Sequence, residues 1–249
     1  MSQTNLKKKY AVVRGSKVRY LHGGSGKPLL FLHGWSTNPL SHIHSLEIIA
    51  ESFTVYAPFI FDMKIKNVQD MAESMNEFIK TVGIQETAIA GTSFGALIAG
   101  LAAYLQPNKV SRLLLINAVG VPIEVSPLKM SMDAIKSYAG LLLKLRLKVI
   151  WHRFVSGIHF HISFLKKGMR DLAKELKYKT HYCHVFSALK VKTIIIWSSK
   201  DIMFPVSMAH SLKSLIANSE LIIKDGNHAW HYHEPELFAQ TIVAACNSE

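Results

Sequence analysis

Short apolar runs recur along this chain, and segments with helical patterning separate them. Leu29–Leu32, Thr54–Ala57, Thr87–Ala90, Leu113–Ile116, Thr193–Trp197 and Leu221–Ile223 each read as a strand. Runs with so little polar alternation require cover on both faces, which argues for a mainly parallel sheet between layers of helices. Between the runs, Val68, Met71, Met75, Phe78, Ile79 and Val82 recur at spacings of three and four, predicting a helix over 68–82. Ala96–Leu105 is apolar almost all round and predicts a buried helix. Ser207–Leu215 and Pro235–Cys246 predict two more, the second with proline near its first turn, where the missing N–H costs nothing. Tyr10–Val13 and Lys17–Leu21 flank Arg14-Gly15-Ser16 and predict an opening hairpin. The expected fold class is α/β, a mainly parallel doubly wound sheet.

Residues 122–188 break this rhythm. Pro122 and Pro127 open a segment that is helical in flavour and lacks a strand-like run. The expected organisation is a core domain made of residues 1–121 and 189–249, with residues 122–188 inserted as a helical cap. At 249 residues, one α/β domain with an insertion is a natural size. Hydrophobic residues make up 49% and charged residues 18%, which excludes an intrinsically disordered chain. The net charge is +12, and the insertion supplies +8 of it from 12 Lys and Arg against 4 Asp and Glu. Two cysteines, Cys183 and Cys246, are too few for a disulfide framework or a Cys₄ zinc site. Met1–Lys9 is polar and then basic, without the apolar run of a signal peptide, and no stretch approaches the ~20 apolar residues of a membrane span. The expectation is a cytoplasmic protein without an integral membrane span. No basic stripe interleaved with aromatics points to nucleic acid.

The chemistry starts at Gly91-Thr92-Ser93-Phe94-Gly95, between an apolar strand and an apolar helix. A serine on such a turn stands exposed at the end of the sheet, and glycines on either side remove Cβ atoms that would clash. A serine hydroxyl needs a base to take its proton. Of 13 histidines, His228 follows the last strand directly in Gly226-Asn227-His228, at the same sheet end as Ser93. His42 and His44 fall in a helix, His210 in another, and His152, His159, His161, His181 and His184 in the cap; His231 and His233 trail His228 and read as solvated.

The imidazole in turn needs an acid to fix its tautomer. Asp201 follows the strand Thr193–Trp197 and precedes His228 by one helix and one strand, an interval that returns a parallel sheet to the same end. Its alternative role is to cap the following helix. Asp225 is a rival by proximity, but three residues before His228 it sits too close to reach the far imidazole nitrogen. Acyl transfer also needs oxyanion donors. The N–H of Phe94, just after the serine, is one. Phe31-Leu32-His33-Gly34-Trp35 follows a buried strand, and Gly34 lets that loop approach the elbow, which makes the N–H of Trp35 the second.

With these pieces in the order Ser93, Asp201, His228, the chain resembles the α/β-hydrolase superfamily, in its small, lid-bearing serine hydrolase branch. The resemblance runs through Leu29–Gly34, Gly91–Gly95, Leu113–Ile116, Ile194–Pro205 and Gly226–Phe238. It departs at Ala57–Met63, where the family carries an Asp-x-x-Gly-x-Gly-x-Ser loop. Serine rather than aspartate at the elbow argues against haloalkane dehalogenases and epoxide hydrolases of this fold.

The resemblance implies a carboxylic-ester hydrolase with Ser93, Asp201 and His228 as triad and Trp35 and Phe94 as oxyanion hole, needing no cofactor or metal. The implied partner is a small-molecule ester. Apolar cap residues such as Leu141, Trp151, Phe154 and Phe160 are candidates for pocket walls. The basic cap admits an acidic partner, as in a methyl esterase of this fold that resembles the chain in its His-Gly-Trp loop and docks an acidic carrier protein. Other bonds on the same triad remain open: a lactone, an acyl-carrier methyl ester, or the C–C bond of a dienoate. A non-catalytic small-ligand receptor is the alternative of a different class.

Overall fold

The computed structural model describes residues 6–35, 37–64, 66–121 and 182–248. Eight strands form one sheet: β1 (Lys7–Val13), β2 (Ser16–Gly23), β3 (Pro28–Leu32), β4 (Thr54–Pro58), β5 (Thr87–Thr92), β6 (Val110–Ile116), β7 (Thr193–Ser198) and β8 (Ser219–Lys224). Their order is β1-β2-β4-β3-β5-β6-β7-β8. Strand β2 runs antiparallel to both of its neighbours, and β4, β3, β5, β6, β7 and β8 are mutually parallel. The mainly parallel, doubly wound sheet expected from the sequence is therefore present.

The helices among the described residues are α1 (Ile43–Ile49), α2 (Val68–Thr81), α3 (Phe94–Leu105), α4 (Cys183–Ser187), α5 (Val206–Leu215), α6 (Trp230–His233) and α7 (Pro235–Asn247). Two apolar cores explain why the strands read as continuous apolar runs. Successive side chains of a strand point to opposite faces. Leu30, Leu32, Leu113, Leu115, Ile195 and Trp197 meet α2, α3, α4 and α5 on one face. Leu29, Phe31, Leu114, Ile116, Ile194 and Ile196 meet α1 and α7 on the other.

Local chemistry sets the ends of these elements. Asn67 caps α2 by accepting the N–H of Asp70 at 2.8 Å. Arg14 and Gly15 both take positive φ, 45° and 76°, the geometry of a tight two-residue hairpin between β1 and β2. Strand β1 starts three residues earlier than the apolar pattern suggests. Lys7–Lys9 pair through their backbone with Tyr20–His22 while their side chains stay exposed on the sheet edge, so they leave no hydrophobic signal. Helix α3 begins at Phe94 rather than Ala96, because the elbow turns straight into it.

The expected cap falls almost entirely outside the described residues, as do its apolar wall candidates and its basic surface. Residues 182–188 are described. Their helix α4 sends Phe186, fully buried, against Leu97 and Gly100 of α3 and against Gly120 just after β6. No helix among the described residues is long and apolar enough to cross a membrane.

Candidate active site

Five of the parallel strands end at the same edge of the sheet, where crevices of such sheets bind ligands. The loop after β3 carries His33, Gly34 and Trp35, Ser93 follows β5, and Asn117 follows β6. Asp201 and His228 come from the loops after β7 and β8. Gly34, Trp35, Thr37, His42, Ser93 and His228 line one pocket there, together with Thr92, Ala229, His231 and Tyr232.

Ser93 has φ 54° and ψ −117°, a sparsely populated conformation for a residue with a side chain. Such a residue costs about 1–3 kcal/mol and persists only where its surroundings fix it. Here the Ser93 N–H donates to Ile116 O at the end of β6 (2.8 Å), and Ser93 O accepts from Ala96 N (3.1 Å). The two flanking glycines are required by contact. A Cβ on Gly91 would lie 2.6 Å from Ala96 Cα, and one on Gly95 would lie 2.5 Å from His33 O. Neither neighbour can yield, because both are backbone. Gly95 thereby lets α3 press against the loop that carries Gly34 and Trp35, and a Cβ on Gly34 would stand 3.3 Å from Ser93 Cβ.

Phe94 is the first residue of α3, so its N–H is one of those a helix leaves without an intrahelical partner. Its ring is buried and packs edge-on to Trp35 (centroids 4.8 Å) and parallel to Phe61 (6.2 Å). Phe61 comes from Ala57–Met63, the stretch that departs from the family pattern. There, a turn of 3₁₀ helix (Ile60–Asp62) is tied back by Asp62, which accepts the Arg19 backbone N–H (3.0 Å) and pairs with its guanidinium.

His33 holds the other side of this loop. Its Nδ1 is 2.9 Å from Gly34 O, which can only accept, and its Nε2 accepts the N–H of Ile60 at 3.2 Å. Those two bonds require the neutral Nδ1–H tautomer. Burial pushes its pKa down to about 4, against weaker opposing effects of the Gly34 carbonyl and Asp62.

Asp201 and His228 are brought together. Asp201 Oδ2 lies 2.7 Å from His228 Nδ1, with the carboxylate fully buried and the imidazole 10% exposed. Asp201 Oδ1 accepts the N–H groups of Met203 and Phe204, both at 2.9 Å. It does not cap α5, whose N-cap residue is Pro205. Phe204 also sets its ring edge-on to His228 at 5.1 Å. The rival acid, Asp225, points elsewhere. It accepts from Ser199 Oγ and pairs with Lys200 Nζ, each at 2.9 Å, and these two partners hold its pKa below the ordinary value. With Ser199 N to Lys224 O (2.7 Å) and Lys200 N to Gly226 O (2.8 Å), it zips together the loops that carry Asp201 and His228.

The pocket also holds residues that the sequence reading set aside. His231 was expected to be solvated and is instead buried, 7% exposed, because α6 turns it inward. It stacks on buried His42 at 4.9 Å, and Tyr232 lies 5.4 Å from the same ring. Asn117, buried beside Asp201, was also missed. Its signal is a lone polar residue directly after an apolar strand at the edge where Ser93 sits. Among the described residues, no group of three or more His, Cys, Asp or Glu side chains is gathered to hold a metal ion.

A family model for the alpha/beta hydrolase fold matches residues 27–170, more than half of the chain. Uncharacterized protein Mb2734 of Mycobacterium bovis is 24% identical over 262 residues, covering 90% of this chain and 76% of that protein. Among solved structures, a membrane phospholipase A described as a bacterial virulence factor is similar with a TM-score of 0.82 at 20% identity, over 97% of this chain and 86% of that one. A serine hydrolase involved in carbazole degradation, the CarC enzyme, gives 0.81 at 19% identity, over 97% and 98%. The eight-stranded sheet, the strained turn at Ser93 and the matched family model agree, and the chain belongs to the alpha/beta hydrolase fold family.

Proposed function

We propose that this hydrolase cleaves carboxylic esters through Ser93, His228 and Asp201. The observation that carries the reading is the 2.7 Å bond from Asp201 to Nδ1 of His228, an imidazole that lines one pocket with the strained Ser93. Asp201 receives three other N–H donors, from Met203, Phe204 and Asn117. A carboxylate so placed accepts from Nδ1–H, and Nε2 is left as the base.

The reaction then runs in two halves. Ser93 Oγ attacks the ester carbonyl carbon while His228 Nε2 takes the hydroxyl proton. Asp201 stabilises the imidazolium through Nδ1. The tetrahedral oxyanion takes hydrogen bonds from the N–H groups of Trp35 and Phe94, each worth roughly 10²-fold or more in rate. Collapse breaks the bond to the alcohol oxygen, which leaves with the proton from His228. Water, deprotonated by His228, then attacks the acyl-enzyme carbonyl; the bond to Ser93 Oγ breaks, His228 returns the proton to Oγ, and the acid is released.

The similar folds include a phospholipase A and a serine hydrolase, which supports a serine hydrolase reading without setting the substrate. A small-molecule ester is the proposed partner. The test is covalent labelling with a fluorophosphonate, in which Ser93 Oγ displaces fluoride from phosphorus. The adduct should map to the peptide containing Ser93 and be absent from Ser93→Ala. Labelling elsewhere, or equal labelling of the variant, would remove Ser93 as the nucleophile.

A further inference from the structure

Asn117 and His228 share the Asp201 carboxylate. Its Nδ2 lies 2.7 Å from Asp201 Oδ2, the same oxygen that meets His228 Nδ1. The residue is 1% exposed and has φ 46°. It follows β6 directly, and its N–H donates to Ile196 O on β7 at 2.9 Å, so the backbone is pinned between the strands that end at Ser93 and Asp201.

The orientation of its amide is decided by a second partner. Trp230 Nε1 lies 3.2 Å from Asn117 Oδ1. An indole N–H can only donate, so the amide oxygen must face Trp230 and the NH₂ must face Asp201. Ser198 Oγ, 3.1 Å from Oδ1 and 2.9 Å from Nδ2, braces the same amide. Both Trp230 and Ser198 are buried, so water does not compete for these bonds.

We infer that Asn117 is a positioning residue for the Asp201–His228 pair. It acts as an obligatory donor, locked by Trp230, that fixes the rotation of the Asp201 carboxylate and shares the oxygen bonded to His228. This rests on the triad reading above. Among the described residues, the titratable group bonded to Asp201 is His228; Lys200 and Asp225, on the adjoining loops, are exposed and satisfy each other.

Asn117→Asp tests it. The introduced side chain has the same size, tolerates a positive φ and still offers Trp230 an oxygen, but its second oxygen replaces a donor with an acceptor beside Asp201. Two carboxyl groups so close share a proton at low pH and repel once it leaves. The experiment measures p-nitrophenyl acetate hydrolysis from pH 5 to pH 9 by wild type, Asn117→Asp and Ser93→Ala, with circular dichroism to verify folding. The inference expects kcat of Asn117→Asp to fall at least ten-fold at pH 8, KM to stay within two-fold, and an alkaline loss absent from wild type to appear. A folded Asn117→Asp enzyme with the wild-type pH profile and kcat within two-fold overturns the inference while Ser93→Ala is inactive. Full activity of Ser93→Ala would instead overturn the triad reading itself.

Discussion

Asp201 and His228 are 27 residues apart in the chain, yet Oδ2 of one and Nδ1 of the other meet at 2.7 Å in a buried site. The interval of one helix and one strand returns the chain to the same sheet edge, because β7 and β8 are parallel neighbours. Their loops are then joined by the Lys200–Asp225 pair and two backbone hydrogen bonds.

Asp201→Asn should therefore fail while keeping its shape. Its amide oxygen can still accept from Met203 and Phe204, but its NH₂ would then confront both the Asn117 NH₂ and His228 Nδ1. The imidazole would take the wrong tautomer, and kcat should fall by roughly three to four orders of magnitude. Steady-state kinetics on p-nitrophenyl acetate checks this; a loss under ten-fold would contradict it.

Gly95→Ala should disrupt fold and site together. The new Cβ would lie 2.5 Å from His33 O and 2.6 Å from Leu32 C, and α3 would have to move away from the Gly34–Trp35 loop. Overpacking against backbone should cost about 3 kcal/mol, a fall in Tm of roughly 10 °C for a domain of this size. Thermal denaturation followed by circular dichroism measures it, and an unchanged Tm would mean that the elbow is not tightly packed.

His33 should make the fold sensitive to acid. Burial lowers its pKa from 6.5 to about 4, so between those values the unfolded chain binds more protons than the folded one. Stability from this group is present above pH 6.5 and is lost as pH falls toward 4, by about 3 kcal/mol. Protonated Nε2 could no longer accept from Ile60 N, which ties the loss to the loop beside the elbow. Urea denaturation at pH 7 and pH 4.5 should show a steeper loss for wild type than for His33→Gln. Equal losses would contradict the assignment.

What the sequence made legible follows a physical division. Strands buried on both faces announce themselves as apolar runs, and α2 as a stripe at spacings of three and four. Ser93, Asp201 and His228 stand out as candidates because each follows such a run and belongs to a residue type with known chemistry. Asn117 also follows a run, β6, but an asparagine there carries no chemistry of its own, and its positive φ and its bond to Trp230, 113 residues away, have no local signature. His231 read as solvated because the contact that buries it, with His42, spans the chain and depends on two short helical turns. Phe61 was hidden in a loop notable only for lacking glycines, although its ring packs beneath Trp35 and Phe94.

The most direct test is hydrolysis of a p-nitrophenyl ester series from acetate to palmitate by wild type and Ser93→Ala side by side. Turnover by wild type at one or more chain lengths, abolished in a folded Ser93→Ala variant, is the result expected of a serine ester hydrolase. Undiminished turnover by the variant, or no turnover by folded wild type at any chain length, would contradict it.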